Sequence, residues 1–175
     1  MKQIKKIVAI IPARMAATRF PGKPLVKILG LPMIEHIRRR AEMSGLFAEV
    51  HVATCDQSIV DEVKKFGGSA IMTKSTHERC TDRIEEAATK VTADVIVNIQ
   101  GDEPLVMTES LKKLIDPFFL DDSIQSTNIV NPVRAREELE SSNVVKAVLS
   151  RTNKILYLSR AAMPGYPFTL EPKYF

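Results

Sequence analysis

The chain of 175 residues has no tryptophan, few aromatic residues and only two cysteines. Because Cys55 and Cys80 are widely spaced, they do not predict a disulfide framework. No apolar run approaches the roughly 20 residues of a membrane span. The run Ile7 to Pro12 is too short for the apolar part of a secretory signal. We therefore predict a cytoplasmic, reduced protein without a membrane partner.

The charge balance gives no sign of nucleic-acid binding. The net charge of +4 comes from 25 basic and 21 acidic residues that are scattered along the chain, whereas nucleic-acid binders concentrate their basic residues in one stripe. Hydrophobic residues make up 45% of the chain and charged residues 26%, which is ordinary for a globular protein. The length predicts a single domain over residues 1–175.

Apolar β-branched runs alternate with helical patterns. We predict strands at 7–11, 50–54, 70–72, 95–99, 125–130, 144–149 and 155–158. We predict helices that start at Pro32, after Asp56, near Asp82 and at Ser110. In the first helix, Arg38 is predicted to lie off the apolar face. This alternation indicates an α/β fold with a mostly parallel sheet and helices on both faces. Ligands of such sheets bind beyond the carboxyl ends of the strands.

The loop after the first predicted strand carries three cations, Arg14, Arg19 and Lys23. Gly22 allows close backbone approach, and neighbouring prolines stiffen the segment. Arginine binds phosphate oxygens in a bidentate fork and lysine supplies a compact charge. The spacing matches neither a Walker loop nor GxGxxG. The residues alone leave two interpretations open, a triphosphate-binding loop and a basic surface loop.

The loop after the fourth strand contains Gln100, Gly101 and Asp102. A carboxylate at the end of a buried strand is costly unless it has a partner, and the glycine before it leaves room for a ligand. Since Mg²⁺ prefers carboxylate and phosphate oxygens, Asp102 is the best magnesium candidate in the chain. A helix-capping or turn aspartate is the alternative.

Residues 10–25, IIPARMAATRFPGKPL, resemble the signature loop of the CMP-Kdo synthetases, which usually reads PARxxSTRxPGKPL. Only Ala17 departs, in place of serine. The resemblance implies that this loop wraps the phosphates of CTP, with nucleotide-binding roles for Pro12, Ala13, Arg14, Arg19 and Lys23 and catalytic roles for Arg14 and Lys23.

Residues 97–105, VNIQGDEPL, resemble the same family's VNVQGDEP motif. The resemblance implies that Asp102 is a catalytic residue and magnesium ligand, and that Gln100 binds the sugar. Glu103 is expected to be structural.

Residues 76–83, THERCTDR, resemble the family segment THxSGTDR. The resemblance implies that Thr81, Asp82 and Arg83 border the base and ribose, although Asp82 is also a candidate helix cap. Arg79 and Cys80 replace the usual serine and glycine, and the larger side chain at 80 changes the space beside the nucleotide. His77 and Cys80 are too few ligands for zinc.

Two later stretches, at 143–148 and 157–161, resemble the family's NxVKVV and YFSRA sequences. By this resemblance, Ser159 and Arg160 lie near the sugar, while strand-end packing is the alternative. The usual enzyme continues for several dozen residues, with a second magnesium-binding aspartate in a GVDT-like motif that is missing here. We therefore expect a truncated sequence, with a naturally short homologue as the alternative.

The resemblance implies a Rossmann-like cytidylyltransferase that uses Mg²⁺. It would transfer CMP from CTP to a 2-keto-3-deoxy sugar acid, Kdo, and release pyrophosphate for lipopolysaccharide or surface-polysaccharide synthesis. A complete enzyme would form a homodimer. Two alternatives stay open: a synthetase for another acidic sugar, such as a sialic-acid relative, and a nucleotide-binding module without catalysis.

Overall fold

The computed structural model describes residues 5–16 and 20–163 of the chain. Contacts divide the chain into two compact units, Met1–Thr127 and Asn128–Phe175. The single domain expected over residues 1–175 stays a prediction. No helix among the described residues is long and apolar enough to cross a membrane. Both cysteines are free thiols, as the sequence predicts.

The first unit alternates strands and helices. Its strands are β1 Ile7–Ala13, β2 Lys27–Ile28, β3 Leu31–Pro32, β4 Glu49–Thr54, β5 Ser69–Met72 and β6 Val95–Asn98. Its helices are α1 Met33–Met43, α2 Gln57–Lys65, α3 Cys80–Ala88, α4 Thr108–Ile115 and α5 Pro117–Leu120. A short 3-10 helix covers Lys23–Leu25.

The four longer strands form one parallel sheet in the order β5-β4-β1-β6. The chain passes from β1 outward through β4 to β5, and then returns to the other side of β1 for β6. The strand order therefore reverses beside β1, and ligands of open α/β sheets bind at such a reversal, beyond the carboxyl ends. The two loops that the sequence singles out follow β1 and β6, the strands on either side of this point.

Both faces of the sheet are covered, because β1 alternates between two apolar clusters. Ile7, Ala9 and Ile11 join a cluster with residues of α1, α2 and α4. Val8 and Ile10 join a smaller cluster with residues of α3. All seven residues of β1 are buried, as expected for a central parallel strand. The predicted α/β fold with helices on both faces is confirmed.

The starts of the four predicted helices differ from the observed ones by at most two residues. The helix expected near Asp82 begins at Cys80, so Asp82 lies in its first turn and does not cap it. An acidic residue in the first turn is favourable because the helix N-terminus carries partial positive charge. Asp56 precedes α2 as predicted, but its side chain makes no capping hydrogen bond.

The second unit contains α6 Arg136–Glu140 and an antiparallel hairpin of β7 Lys146–Leu149 and β8 Ile155–Ser159. The strand predicted over 125–130 is wrong, since these residues form no strand. Only Ile129 and Val130 of this stretch are apolar, and β-branched residues favour a strand only where packing against neighbours supports it.

Candidate functional site

A cavity of about 650 Å³ lies at the carboxyl edge of the first unit's sheet. Three segments line it: the one that follows β1, the start of α3 with the residues before it, and the loop after β6. The lining residues are Pro12, Ala13, Arg14, Phe20, Lys23, Pro24, His77, Glu78, Arg79, Cys80, Arg83, Gln100, Gly101 and Asp102.

Backbone hydrogen bonds and long-range contacts hold the described residues of the first loop. The amide of Gly22 donates to the carbonyl of Met15 over 2.9 Å. The backbone at position 22 is left-handed, with a φ of 75°, and this conformation favours glycine. The sequence had suggested a different reason, a close approach of the backbone to a ligand. The amide of Met15 donates to Asp56 Oδ2 over 2.8 Å. Asp56 therefore positions the loop, a role that the sequence did not reveal.

Gly101 joins the second loop to the first. A Cβ at this position would overlap the carbonyl oxygen of Pro12. The space beside Gly101, which was expected to admit a ligand, is therefore filled by the backbone of β1. The loop after β6 thus lies directly against the backbone of β1 at the edge of the cavity, and only glycine fits at position 101.

An ion pair connects the two loops across the cavity. Lys23 Nζ lies 3.0 Å from Asp102 Oδ2, and the two side chains are 35% and 58% exposed. Asp102 is thus not the buried carboxylate that its place after an apolar strand suggested. The residue predicted to bind phosphate and the residue predicted to bind magnesium nevertheless lie side by side. Arg14, also exposed, forms no hydrogen bond or ion pair with another described residue.

The start of α3 forms a third wall. Gln100 Nε2 lies 4.0 Å from the Sγ of the exposed Cys80. Arg83 is buried, and its guanidinium donates to the hydroxyl of Thr73 and to the carbonyl of Lys74. Although Arg83 lines the cavity, these contacts also hold α3 to the end of β5.

Glu86 supports this wall from behind. Its Oε2 accepts from the amide of Lys74 over 2.9 Å and lies 2.6 Å from Nε2 of His77, while its Oε1 accepts from Lys90. The hydrogen bond from the Lys74 amide, followed by the one from His77, lowers the pKa of Glu86 from 4.5 to about 2. His77, which lines the cavity, is therefore held by a carboxylate.

Several predicted residues lie away from the cavity lining. Thr81 and Asp82 are on α3, and neither lines the cavity. Arg19 lies outside the described residues. Ser159 and Arg160 belong to the second unit. There, Arg160 donates to the carbonyls of Ser142 and Asn143, and the Ser159 hydroxyl accepts from the amide of Ala161.

Sequence reasoning did not assign a binding role to Arg79, which is exposed and lines the cavity. The signal for such a role is the departure from the resembled motif, in which arginine stands in place of serine. Among the described residues, no group of three or more His, Cys, Asp or Glu side chains is arranged to hold a metal ion. Asp102 is the carboxylate that the second loop presents to the cavity.

Comparison with known proteins agrees with this geometry. A family model described as cytidylyltransferase matches residues 8–167. The 3-deoxy-manno-octulosonate cytidylyltransferase of Geobacter metallireducens is 45% identical over 92% of this chain and 63% of its own length. The enzyme of the same name from Geotalea daltonii is 43% identical over 92% of this chain and 64% of its own length. The chain thus spans less than two thirds of these curated relatives.

A solved structure of CMP:2-keto-3-deoxy-manno-octonic acid synthetase complexed with CTP superposes with a TM-score of 0.84 and 38% identity. The match covers 94% of this chain and 67% of that one. The resemblance predicted from the three motifs is confirmed, and the chain belongs to the cytidylyltransferase family.

Proposed function

We propose that this chain transfers CMP from CTP to a 2-keto-3-deoxy sugar acid, Kdo, and releases pyrophosphate. The observation that carries the proposal is the contact between Lys23 and Asp102. It joins the two motifs shared with the CMP-Kdo synthetases at one edge of one cavity. The solved relative was complexed with CTP, which supports CTP as the nucleotide.

In the proposed complex, the triphosphate lies along the loop after β1. The cations Arg14 and Lys23 face it, Arg19 belongs to the same loop, and Pro12 and Ala13 form the floor. Gln100 orients the sugar beside the nucleotide. Arg83, with Thr81 and Asp82 on the same helix, borders the nucleoside. Sugar binding by Ser159 and Arg160 stays a prediction.

The reaction needs position and charge more than covalent catalysis. The anomeric hydroxyl oxygen of the sugar attacks the α-phosphorus in line with the departing group. A new oxygen–phosphorus bond forms, the bond to the α,β-bridging oxygen breaks with its electron pair leaving on pyrophosphate, and the hydroxyl proton passes to solvent. Negative charge grows on the α-phosphate and pyrophosphate oxygens in the transition state, and Arg14 and Lys23 stabilise it there.

The residues present fit a divalent cation, which nucleotidyltransferases of this kind typically use. Mg²⁺ is commonly held by one or two carboxylates together with substrate phosphates. Asp102 supplies one accessible carboxylate beside the proposed phosphate site. We propose that Asp102 holds Mg²⁺, which would add positive charge at the phosphates when bound. Lys23 would then leave Asp102 and donate a hydrogen bond to a phosphate oxygen.

The test is pyrophosphate release from CTP, measured with Kdo, with a sialic acid and without sugar, in the presence of Mg²⁺. We expect release with Kdo only. Asp102→Asn should abolish the magnesium-dependent turnover and leave metal-free CTP binding largely intact. Release with the sialic acid but not with Kdo would refute the proposed sugar. CTP binding without turnover with any sugar acid would instead favour a nucleotide-binding module.

A further inference from the structure

We propose that Arg79 is an additional anion-binding residue of the cavity, which contacts a phosphate or carboxylate group of a bound substrate. This inference rests on the proposed function, because it deepens the account of the same cavity. It concerns the position at which this chain departs from the motif it resembles, where arginine stands in place of the usual serine.

The charges that line the cavity favour an anionic ligand. Among the described residues, four cations line it, namely Arg14, Lys23, Arg79 and Arg83, against the two carboxylates of Glu78 and Asp102. One of those carboxylates, Asp102, is already paired with Lys23 at 3.0 Å. The remaining positive charge is concentrated in a concave site, where it attracts negatively charged ligands.

The four cations are not equivalent, because two of them have partners in the protein. Lys23 pairs with Asp102, and the buried Arg83 donates to Thr73 and Lys74. Arg14 and Arg79 are exposed, and neither side chain forms a hydrogen bond or an ion pair with another described residue. Arg79 therefore presents its donors to the cavity without first having to leave a partner.

Arg79 lines the same cavity as the residues proposed to contact the two substrates. It directly precedes Cys80, whose Sγ lies 4.0 Å from the amide nitrogen of Gln100, the proposed sugar contact. It also lines the cavity together with Arg14 and Lys23, the proposed phosphate contacts. A guanidinium offers five donors in a planar fork that matches carboxylate and phosphate alike, whereas serine offers a single hydroxyl donor. This chain should therefore bind the anion more tightly than it would with serine at position 79.

The experiment is calorimetric titration of the chain with CTP, with cytidine, and with Kdo after saturation by CTP in metal-free buffer. The variants are Arg79→Ser, Arg79→Lys and the control Arg40→Ser. Arg40 is an exposed arginine of α1 outside the cavity lining. Replacing it by serine changes the net charge by the same amount as Arg79→Ser does. Thermal melts establish that each variant is folded.

We expect Arg79→Ser to weaken binding of the anionic ligand by about 10-fold to 100-fold, the usual scale for hydrogen bonds to charged groups. Arg79→Lys should lie between Arg79→Ser and wild type, and Arg40→Ser should match wild type. Weaker CTP binding with unchanged cytidine binding identifies the phosphates as the anion. Weaker Kdo binding with unchanged CTP binding identifies the sugar carboxylate.

Two results would overturn the inference, and they differ in what else they affect. If Arg79→Ser binds CTP and Kdo as tightly as Arg40→Ser does, the role of Arg79 is refuted and the proposed function stands. If the wild-type chain binds neither CTP nor Kdo, the proposed function is refuted as well.

Discussion

Two ion pairs of the first unit differ in almost every respect except their charges. Lys23 and Asp102 meet at the cavity, where both side chains are partly exposed. Arg38 and Glu35 meet on α1, with 3% and 0% of their side chains exposed. The first pair joins two loops that neighbour each other only in the folded sheet, whereas the second lies within one helix.

The difference in burial separates a structural role from a role in binding. Arg38 donates to both carboxylate oxygens of Glu35 and to the carbonyl of Phe66, and its side chain fills the space that a Cβ at Gly68 would need. The hydrogen bonds to Glu35 raise the pKa of Arg38. Exposed pairs contribute only about 0–1 kcal/mol, so Lys23 and Asp102 can change partners at little cost.

The largest expected effect comes from breaking the buried pair. Arg38→Ala leaves the carboxylate of Glu35 buried with only a long contact to Arg39, so the free energy of unfolding should fall by about 3–5 kcal/mol. Urea denaturation measures this loss. Lys23→Ala is the matched control and should change stability by no more than about 0.5 kcal/mol. Equal losses in the two variants would contradict the division into structural and binding pairs.

Breaking the exposed pair should affect binding instead. Lys23→Ala should weaken CTP binding by about 1.5–3 kcal/mol, the scale of a hydrogen bond to a charged group. Lys27→Ala, an exposed lysine of β2 outside the cavity lining, controls for the lost charge. Removing the other partner by Asp102→Asn frees Lys23, so metal-free CTP binding should be no weaker than in wild type. If Lys23→Ala binds CTP as wild type does, the phosphate role is wrong.

The strands that place these pairs were predictable from local sequence. Continuous β-branched runs define β1 and β6 because buried parallel strands need apolar side chains on both faces. The start of α3 at Cys80 was missed because the residues there carry only weak helix signals. The false strand at 125–130 shows that a few β-branched residues do not reveal whether a partner strand exists.

The loops of the site were predictable from their motifs, but their contacts were not. Pairing of Lys23 with Asp102 and packing of Gly101 on Pro12 depend on the strand order, which no local pattern encodes. The contact between Asp56 and Met15 spans 41 residues, and Asp56 resembled an ordinary helix cap. A binding role of Arg79 could not be read from the motif, because arginine replaces the serine that the resembled family usually has there.

Asp56 is intermediate in burial between the two ion pairs. Its carboxylate holds a loop through a backbone amide and not through a cation. Asp56→Ala removes the acceptor for the Met15 amide, and we expect CTP binding to weaken by about 0.5–1.5 kcal/mol. Asp56→Asn keeps an acceptor oxygen and should bind within a factor of about two of wild type. The measurement is CTP titration with melting curves for both variants. A loss of stability without a change in CTP affinity would make Asp56 a residue of the fold only.

The smallest expected effect on stability concerns Glu86. Its side chain is 20% exposed, which is intermediate between the buried and the exposed ion pair. Its pKa is about 2 in the folded chain and 4.5 ordinarily. Because the folded value is the lower one, its stabilising contribution is complete above pH 4.5 and disappears as pH falls towards 2. The urea midpoints of wild type and Glu86→Gln should therefore differ by a constant amount above about pH 5.5 and converge towards pH 2.

The groups that set this behaviour are the Lys74 amide, His77 and Lys90, and Lys90→Ala should reproduce only a small part of the difference. A gap between wild type and Glu86→Gln that stays constant down to pH 2 would show that Glu86 acts through packing and not through its charge.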